Sequence, residues 1–234
     1  MNKLLSEICD GVLTLSLNRP DKLNAIDNEL ARELLAALEA AAVDASVRVV
    51  RLRGSGSSFC AGRDVGAKPT EDDLVLVQSV AQALVRLTKP VLAVVHGWVI
   101  GAGLEWALDA DIVIASSSAR FMLPEASLGV FVTGGICATL PAAVGLGRAK
   151  SLMLLGEDFT AEQAEGWGLV WKVVPDDQID TVSAQVAARL AALQPAVAAS
   201  FKHVLNTIGL ATFDRAIDLE SQTQRAFAVR LPLR

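Results

Sequence analysis

Residues Val91–Val95 read VLAVV, five apolar residues with no polar interruption. Strict alternation would leave one face of a strand to water; an unbroken apolar run belongs to a strand covered on both faces, as inside a parallel sheet. Ile112–Ala115 (IVIA) is a second such run. Two strands of this kind need helices on either side of the sheet, so the chain reads as an α/β fold. Between them lie Gly97, Gly101 and Gly103, which break the first strand and allow close approach of the backbone. A helix resumes over Leu104–Leu108 with Glu105 in its first turns, and Glu125 follows Pro124 after the second strand.

The flanking chain agrees with this layering. Val12–Leu17 alternates as a strand and stops at Asn18-Arg19-Pro20, a turn signal. Asp27 is an N-cap for an amphipathic helix from about Asn28 to Ala42, and Val47–Arg53 is the next strand. Gly54–Ser58 is a flexible loop leading into Phe59-Cys60-Ala61-Gly62-Arg63-Asp64. Ala67–Asp73, where Pro, Thr and charges replace apolar periodicity, reads as a mobile surface loop. A helix then runs from about Leu74 to Leu87 and ends before Lys89-Pro90. Helices follow over Ile136–Val144 and Arg148–Leu155. Thr160 and Gln163 have capping-box spacing for a short helix, and Val170–Val174 is a last strand. From Asp177 the chain is Ala- and Leu-rich and helical, with Pro195 opening a new helix and Gly209 interrupting the last stretch.

Three features carry chemistry. The Gly97–Glu105 turn offers free backbone N–H groups at a helix start, the donors an oxyanion hole needs, although the same glycines also serve a tight packing turn. In Phe59–Asp64, Gly62 lets the N–H of Arg63 point into the same pocket from a second loop; alone it reads first as an ordinary loop after a strand, and two such loops together strengthen the donor reading. Glu105 lies three residues after Ala102 and so shares a helix face with that donor. With Glu125 it makes a pair able to polarise a water while a proton reaches carbon. Asp109 and Asp111 compete for that role on pattern alone, and either glutamate alone also reads as a solvated or capping residue.

Composition removes several alternatives. A net charge of −5 argues against a nucleic-acid surface, and the helix from Asn28 has more acid than base. No apolar run reaches bilayer length, and the N-terminus alternates like a strand rather than a signal peptide. Cys9, Cys60 and Cys137 form no CxxC pair, which points to free thiols in a reducing cytoplasm. His96 and His203 are the only histidines, and neither HExxH nor a calcium loop is present, so no metal is implied. Trp106 stands where a dinucleotide fingerprint needs its third glycine, and there is no GK[ST].

The pieces NRPDKLNAI, SFCAGRD, KPVLAVVHGWVIGAGLEWALDADIVIA, ARFMLPEASLG and FTAEQAEGWGLVWKVV, in this order, resemble the enoyl-CoA hydratase/isomerase (crotonase) family. The resemblance covers most of the chain to about Pro175. It implies a ClpP/crotonase-like fold: a ββα-spiral catalytic core over 1–175 and a helical, oligomerising region over 176–234, shorter than usual for the family. It implies an acyl-CoA substrate, with coenzyme A entering as part of the thioester and no separate cofactor, and assembly as a homotrimer or a dimer of trimers. It carries the oxyanion donors onto the backbone N–H groups of Arg63 and Ala102, beside Gly101. It carries CoA contacts onto Lys22, Leu23 and Ala25 and onto Ala61, Gly62, Asp64 and Val65. The two glutamates of hydratase members fall on Glu105 and Glu125, which favours syn-addition of water to a 2-enoyl-CoA: Glu125 delivers the α-proton and Glu105 holds and activates water.

Three departures are visible. Gly129–Gly135 lacks the proline and extra residue of the commoner LGxIPGxGG pattern, Trp98 and Trp106 add bulk near the donor helix, and the chain stops at Leu231-Pro232-Leu233-Arg234 where most members add a helical stretch. The segments AEQAEGWGLVWKVV and IDLESQTQRAF also resemble the ring-epoxide isomerases of phenylacetate breakdown, so isomerisation is the alternative reaction. A catalytically silent acyl-CoA binder or an RNA-associated module on the same fold are the readings outside catalysis.

Overall fold

The computed structural model describes residues 2–64, 66 and 70–230, the last three without side-chain detail. In chain order the strands are β1 (Leu4–Cys9), β2 (Val12–Leu17), β3 (Val49–Gly54), β4 (Val91–Val95), β5 (Trp98–Ile100), β6 (Ile112–Ser116), β7 (Arg120–Met122), β8 (Phe159–Thr160) and β9 (Lys172–Val174). The α-helices are α1 (Asn28–Val43), α2 (Glu71–Arg86), α3 (Ala102–Leu108), α4 (Glu125–Leu128), α5 (Ile136–Val144), α6 (Leu146–Leu155), α7 (Ala161–Trp167), α8 (Ile179–Ala191), α9 (Pro195–Gly209) and α10 (Phe213–Arg230).

The larger sheet runs β1-β2-β3-β4-β6-β9, antiparallel only at β1–β2. The unbroken apolar pattern of β4 has the expected cause. Val91, Ala93 and Val95 face the main core with α1 and α2, whereas Leu92 and Val94 face a second cluster closed by Ile179, Val186 and Ala187 of α8. Every β4 residue is buried.

The second sheet, β5-β7-β8, is where sequence reading falls short. Its strands are two or three residues long, too short for an alternating pattern to stand out. They complete a repeat: β4–β5–α3 and β6–β7–α4 are each two strands and a helix, the first strand entering the larger sheet and the second the smaller. Val99, Phe121 and Phe159 are buried from this small sheet, and the rings of Phe121 and Phe159 stack with centroids 5.3 Å apart.

Caps set the helix boundaries. Asp27 accepts from the Leu30 N–H at 2.9 Å, and Thr160 with Gln163 forms the expected capping box. The expected loop Ala67–Asp73 needs correction. Ala67, Lys68 and Pro69 lie outside the described residues, but Glu71–Asp73 form the first turn of α2, closed by a reciprocal capping box between Thr70 and Asp73. Three acidic side chains suit a helix N-terminus, and their lack of apolar periodicity hid the turn. Likewise α3 begins at Ala102, two residues before the expected Leu104. No described helix is long and apolar enough to cross a membrane.

Candidate active site

The candidate site is built where β5 passes the loop after β3. The Cys60 N–H donates to the Trp98 carbonyl at 3.1 Å and the Ile100 N–H donates to the Cys60 carbonyl at 2.9 Å, a parallel bridge that lays Cys60–Gly62 alongside β5. On its other side the loop bridges Ile26, whose N–H donates to Gly62 O at 2.7 Å, while the Asp64 N–H donates to Ile26 O at 2.9 Å. In a parallel bridge the residues flanking the paired one make the bonds, so the N–H of Arg63 faces away from Ile26. Ala102, as first residue of α3, has an N–H with no intrahelical partner. Among the described residues neither amide donates a hydrogen bond.

Two glycines let these amides approach. Gly62 (φ +86°) and Gly101 (φ +52°) both adopt backbone conformations that L side chains resist. A Cβ on Gly62 would stand 3.0 Å from Ile100 O and 3.8 Å from Ala102 N. A Cβ on Gly101 would stand 2.5 Å from Glu125 Oε1. The two donors and the Glu125 carboxylate therefore occupy one neighbourhood.

The glutamates are held differently. Glu105 is 1% exposed, and its Oε2 accepts the N–H of Thr133 at 3.1 Å and that of Gly134. Glu125 has a buried Oε2 with no hydrogen-bond partner among the described residues. Burial pushes the Glu125 carboxyl up to about 7. Burial, then the charges of Glu125 and Glu220, push Glu105 well above the ordinary glutamate range, against the pull of the Gly134 and Thr133 amides. The Glu125 charge disfavours ionisation of Glu105, so the two carboxyls titrate as a pair rather than independently.

The competing aspartates separate. Asp111 is engaged elsewhere: it accepts the Val91 N–H at 2.7 Å and pairs with Lys202 at 2.9 Å. Asp109 is buried one helical turn beyond Glu105, and neither of its oxygens has a partner among the described residues. Burial and the Glu105 charge push it well above the ordinary aspartate range.

A family model described as enoyl-CoA hydratase/isomerase matches residues 7–230. The chain belongs to the enoyl-CoA hydratase/isomerase family. It is 37% identical over 235 residues to the 1,2-epoxyphenylacetyl-CoA isomerase of Escherichia coli (strain K12), a match covering 96% of this chain and 90% of the relative. It is 38% identical over 210 residues to the 2,3-dehydroadipyl-CoA hydratase of the same organism, covering 88% and 82% respectively. The crystal structure of an enoyl-CoA hydratase from Mycobacterium avium subsp. paratuberculosis K-10 superposes with a TM-score of 0.92 at 34% identity, over 97% of this chain and 90% of that one. The architecture is thus the crotonase fold, and the protein is an enzyme of a family that acts on acyl-CoA thioesters.

In this hydratase/isomerase the loops expected to meet CoA lie together. Lys22 and Leu23 are exposed, Leu23 and Asn24 have left-handed backbone, and the Ala61 N–H donates to Leu23 O at 2.9 Å. Arg19 pairs with Asp64 at 2.9 Å and also bonds the Ala25 carbonyl, fastening Ala25 and Asp64 to one cation. Val65 lies outside the described residues. Asn24 is fully buried and carries three bonds: its amide donates to Ser55 O and Ser58 O, both at 2.8 Å, and its oxygen accepts the Arg19 N–H.

Sequence reasoning missed the amides of Thr133 and Gly134 and the side chain of Glu220. The amides carry no side-chain signature. Glu220 is one acidic residue in a long helix, and only the fold shows that this helix packs on α5.

Proposed function

We propose that the protein is a hydratase that adds water reversibly, in syn fashion, to a 2-enoyl-CoA. The observation that carries this reading is the pair Glu105 and Glu125, buried and electrostatically coupled beside the unpartnered amides of Arg63 and Ala102. In the hydration direction the thioester oxygen accepts both amides. Glu105 takes a proton from water as the new bond forms between the water oxygen and C3. The displaced π electrons pass to the thioester oxygen, whose negative charge the amides stabilise. The carbonyl then re-forms as C2 takes the proton of Glu125. One glutamate gains a proton and the other loses one, so the pair carries a single proton before and after the reaction. The only cofactor chemistry needed is that of the CoA thioester, and the residues proposed to seat it are those of the 22–25 and 61–65 loops.

The related ring-epoxide isomerase, whose similarity extends over 96% of this chain, supports isomerisation as the second reading. An isomerase needs one base to move a proton between carbons and adds no atoms. The decisive experiment is a panel of short, branched and aryl acyl-CoAs read by mass spectrometry. Hydration appears as the gain of one water and isomerisation as a new species of unchanged mass. No product from any 2-enoyl-CoA would overturn the hydratase reading, and unaltered but tightly bound acyl-CoA would identify a silent binder.

The shared proton also sets the pH dependence. Raising pH through the upper apparent pKa strips the proton meant for C2, and lowering it through the lower one leaves no base for water. The kcat/KM profile is therefore expected to be a bell with a limb near the Glu125 value of about 7. A profile flat from pH 5 to 9 would refute proton sharing.

Assembly as a homotrimer or dimer of trimers in the cytoplasm completes the reading. It is supported by the exposed apolar row Phe201, Leu205 and Ile208 on α9, since apolar patches of this kind favour protein contacts.

A further inference from the structure

We propose that Glu220 of α10 is a positioning residue for Glu105, acting through the backbone of the Thr133–Cys137 segment. This rests on the hydratase reading of Glu105. The Glu220 carboxylate is 1% exposed and uses both oxygens on consecutive parts of one turn: Oε2 accepts the Gly135 N–H at 2.7 Å and Oε1 accepts the Cys137 N–H at 2.9 Å. The two preceding amides, Thr133 and Gly134, are the ones that hold Glu105 Oε2. Four amides over five residues are thus divided between two carboxylates, and the seat of the first is fixed by the second.

The rest of α10 reinforces the seat. Phe213 lies so close to Gly135 (φ +84°) that no Cβ fits between them. Gln224 accepts the Phe131 N–H at 2.7 Å, and Phe131 meets Phe227 edge to face at 6.1 Å. Gly134 is packed as tightly on the other side, where a Cβ would stand 2.7 Å from Glu105 Oε2. The segment has no slack, so a shift at Gly135 is transmitted to Gly134. This is the stretch in which the sequence lacks the commoner proline and extra residue, so its rigidity comes from α10.

Other charged or titratable groups near Glu220 are Cys137 on α5, Glu105 and Asp109 on α3, and Arg215 on α10, with Lys202 acting on Asp109 from α9. Glu220 contributes negative charge beside Glu105 and helps to hold its carboxyl up. Removing that charge is expected to move the Glu105 titration to lower pH.

The test compares wild type with Glu220→Gln and Glu220→Asp, each monitored by circular dichroism and thermal melting. Glutamine keeps the shape but presents one N–H to an amide donor. We expect kcat per folded molecule to fall about 10²-fold, the effect of misplacing a reacting group by about 1 Å, with KM changed less than about threefold. The acid limb of the pH profile should move to lower pH, and Glu220→Asp should recover part of kcat. A folded Gln variant with wild-type kcat and unmoved limb overturns the proposal, as does a loss of activity that only follows the loss of folded protein. Should the Gln variant not fold, the Asp variant decides: folded protein with reduced kcat supports the role, and wild-type kcat overturns it. If wild type hydrates no acyl-CoA, the hydratase reading has failed, and Glu220 is judged by 13C NMR of the Glu105 carboxyl, assigned with Glu105→Gln. A titration unchanged by Glu220→Gln, or by Glu220→Asp if only that variant folds, then overturns the proposal.

Discussion

Glu125→Gln is expected to lower kcat for hydration by about 10²- to 10⁴-fold, the range spanned by loss of a positioned acid–base group. The amide keeps the size of the carboxyl but has no proton of suitable acidity for C2. Because the change leaves the Arg63 and Ala102 amides in place, KM for the enoyl-CoA should stay within a few-fold. The pH bell should collapse to a single limb, because only Glu105 of the pair is left to titrate. A stopped-flow assay of enoyl-thioester absorbance over pH 5 to 9 measures all three quantities. Wild-type kcat in the variant would remove Glu125 from the mechanism. Stability should rise slightly at high pH: Glu125 has a folded-state pKa raised by burial, so its ionised form destabilises the fold as pH rises above the unfolded value, and glutamine carries no such charge.

Gly101→Ala is expected to lower kcat by at least about 10²-fold, comparable with removing one oxyanion donor. The added methyl meets two obstacles at once. Backbone at φ +52° is strained for alanine, and the Cβ would come within 2.5 Å of Glu125 Oε1. Relief requires turning the peptide that presents the Ala102 N–H, displacing Glu125, or both. The 22–25 loop proposed to meet CoA is held through Arg19 rather than through α3, so CoA itself should still bind, and calorimetry can measure that. An Ala variant with full kcat would show that the start of α3 does not form the oxyanion site.

How much of this was legible beforehand depends on where the information resides. Asp27 and the Thr160/Gln163 box are local signals, and both boundaries they implied are present. The strands β4 and β6 were readable because burial on both faces leaves an unbroken apolar run. The strands β5 and β7 were not, since three residues show no period, yet β5 aligns the Cys60–Gly62 loop with the start of α3. Asp111 could be separated from the glutamates only once Lys202, 91 residues further on, was seen to reach it. Glu220 is the extreme case: its partners are main-chain N–H groups more than 80 residues away, and nothing in its neighbours marks it.

The placement of β4 between two cores has a consequence for how the molecule comes apart. Its amides are locked to β3 and β6, and its side chains to both clusters, so their hydrogen exchange should require global unfolding. Only His96 and Gly97 separate it from β5, so the Ala102 side of the candidate site is expected among the last parts to open. The Thr133–Cys137 side shares that core through Val132 and Ile136 but depends in addition on contacts from α10. Exchange at the Thr133–Cys137 amides that is faster than at those of β4 would show that the proposed site comes apart in steps, the seat of Glu105 opening before the start of α3.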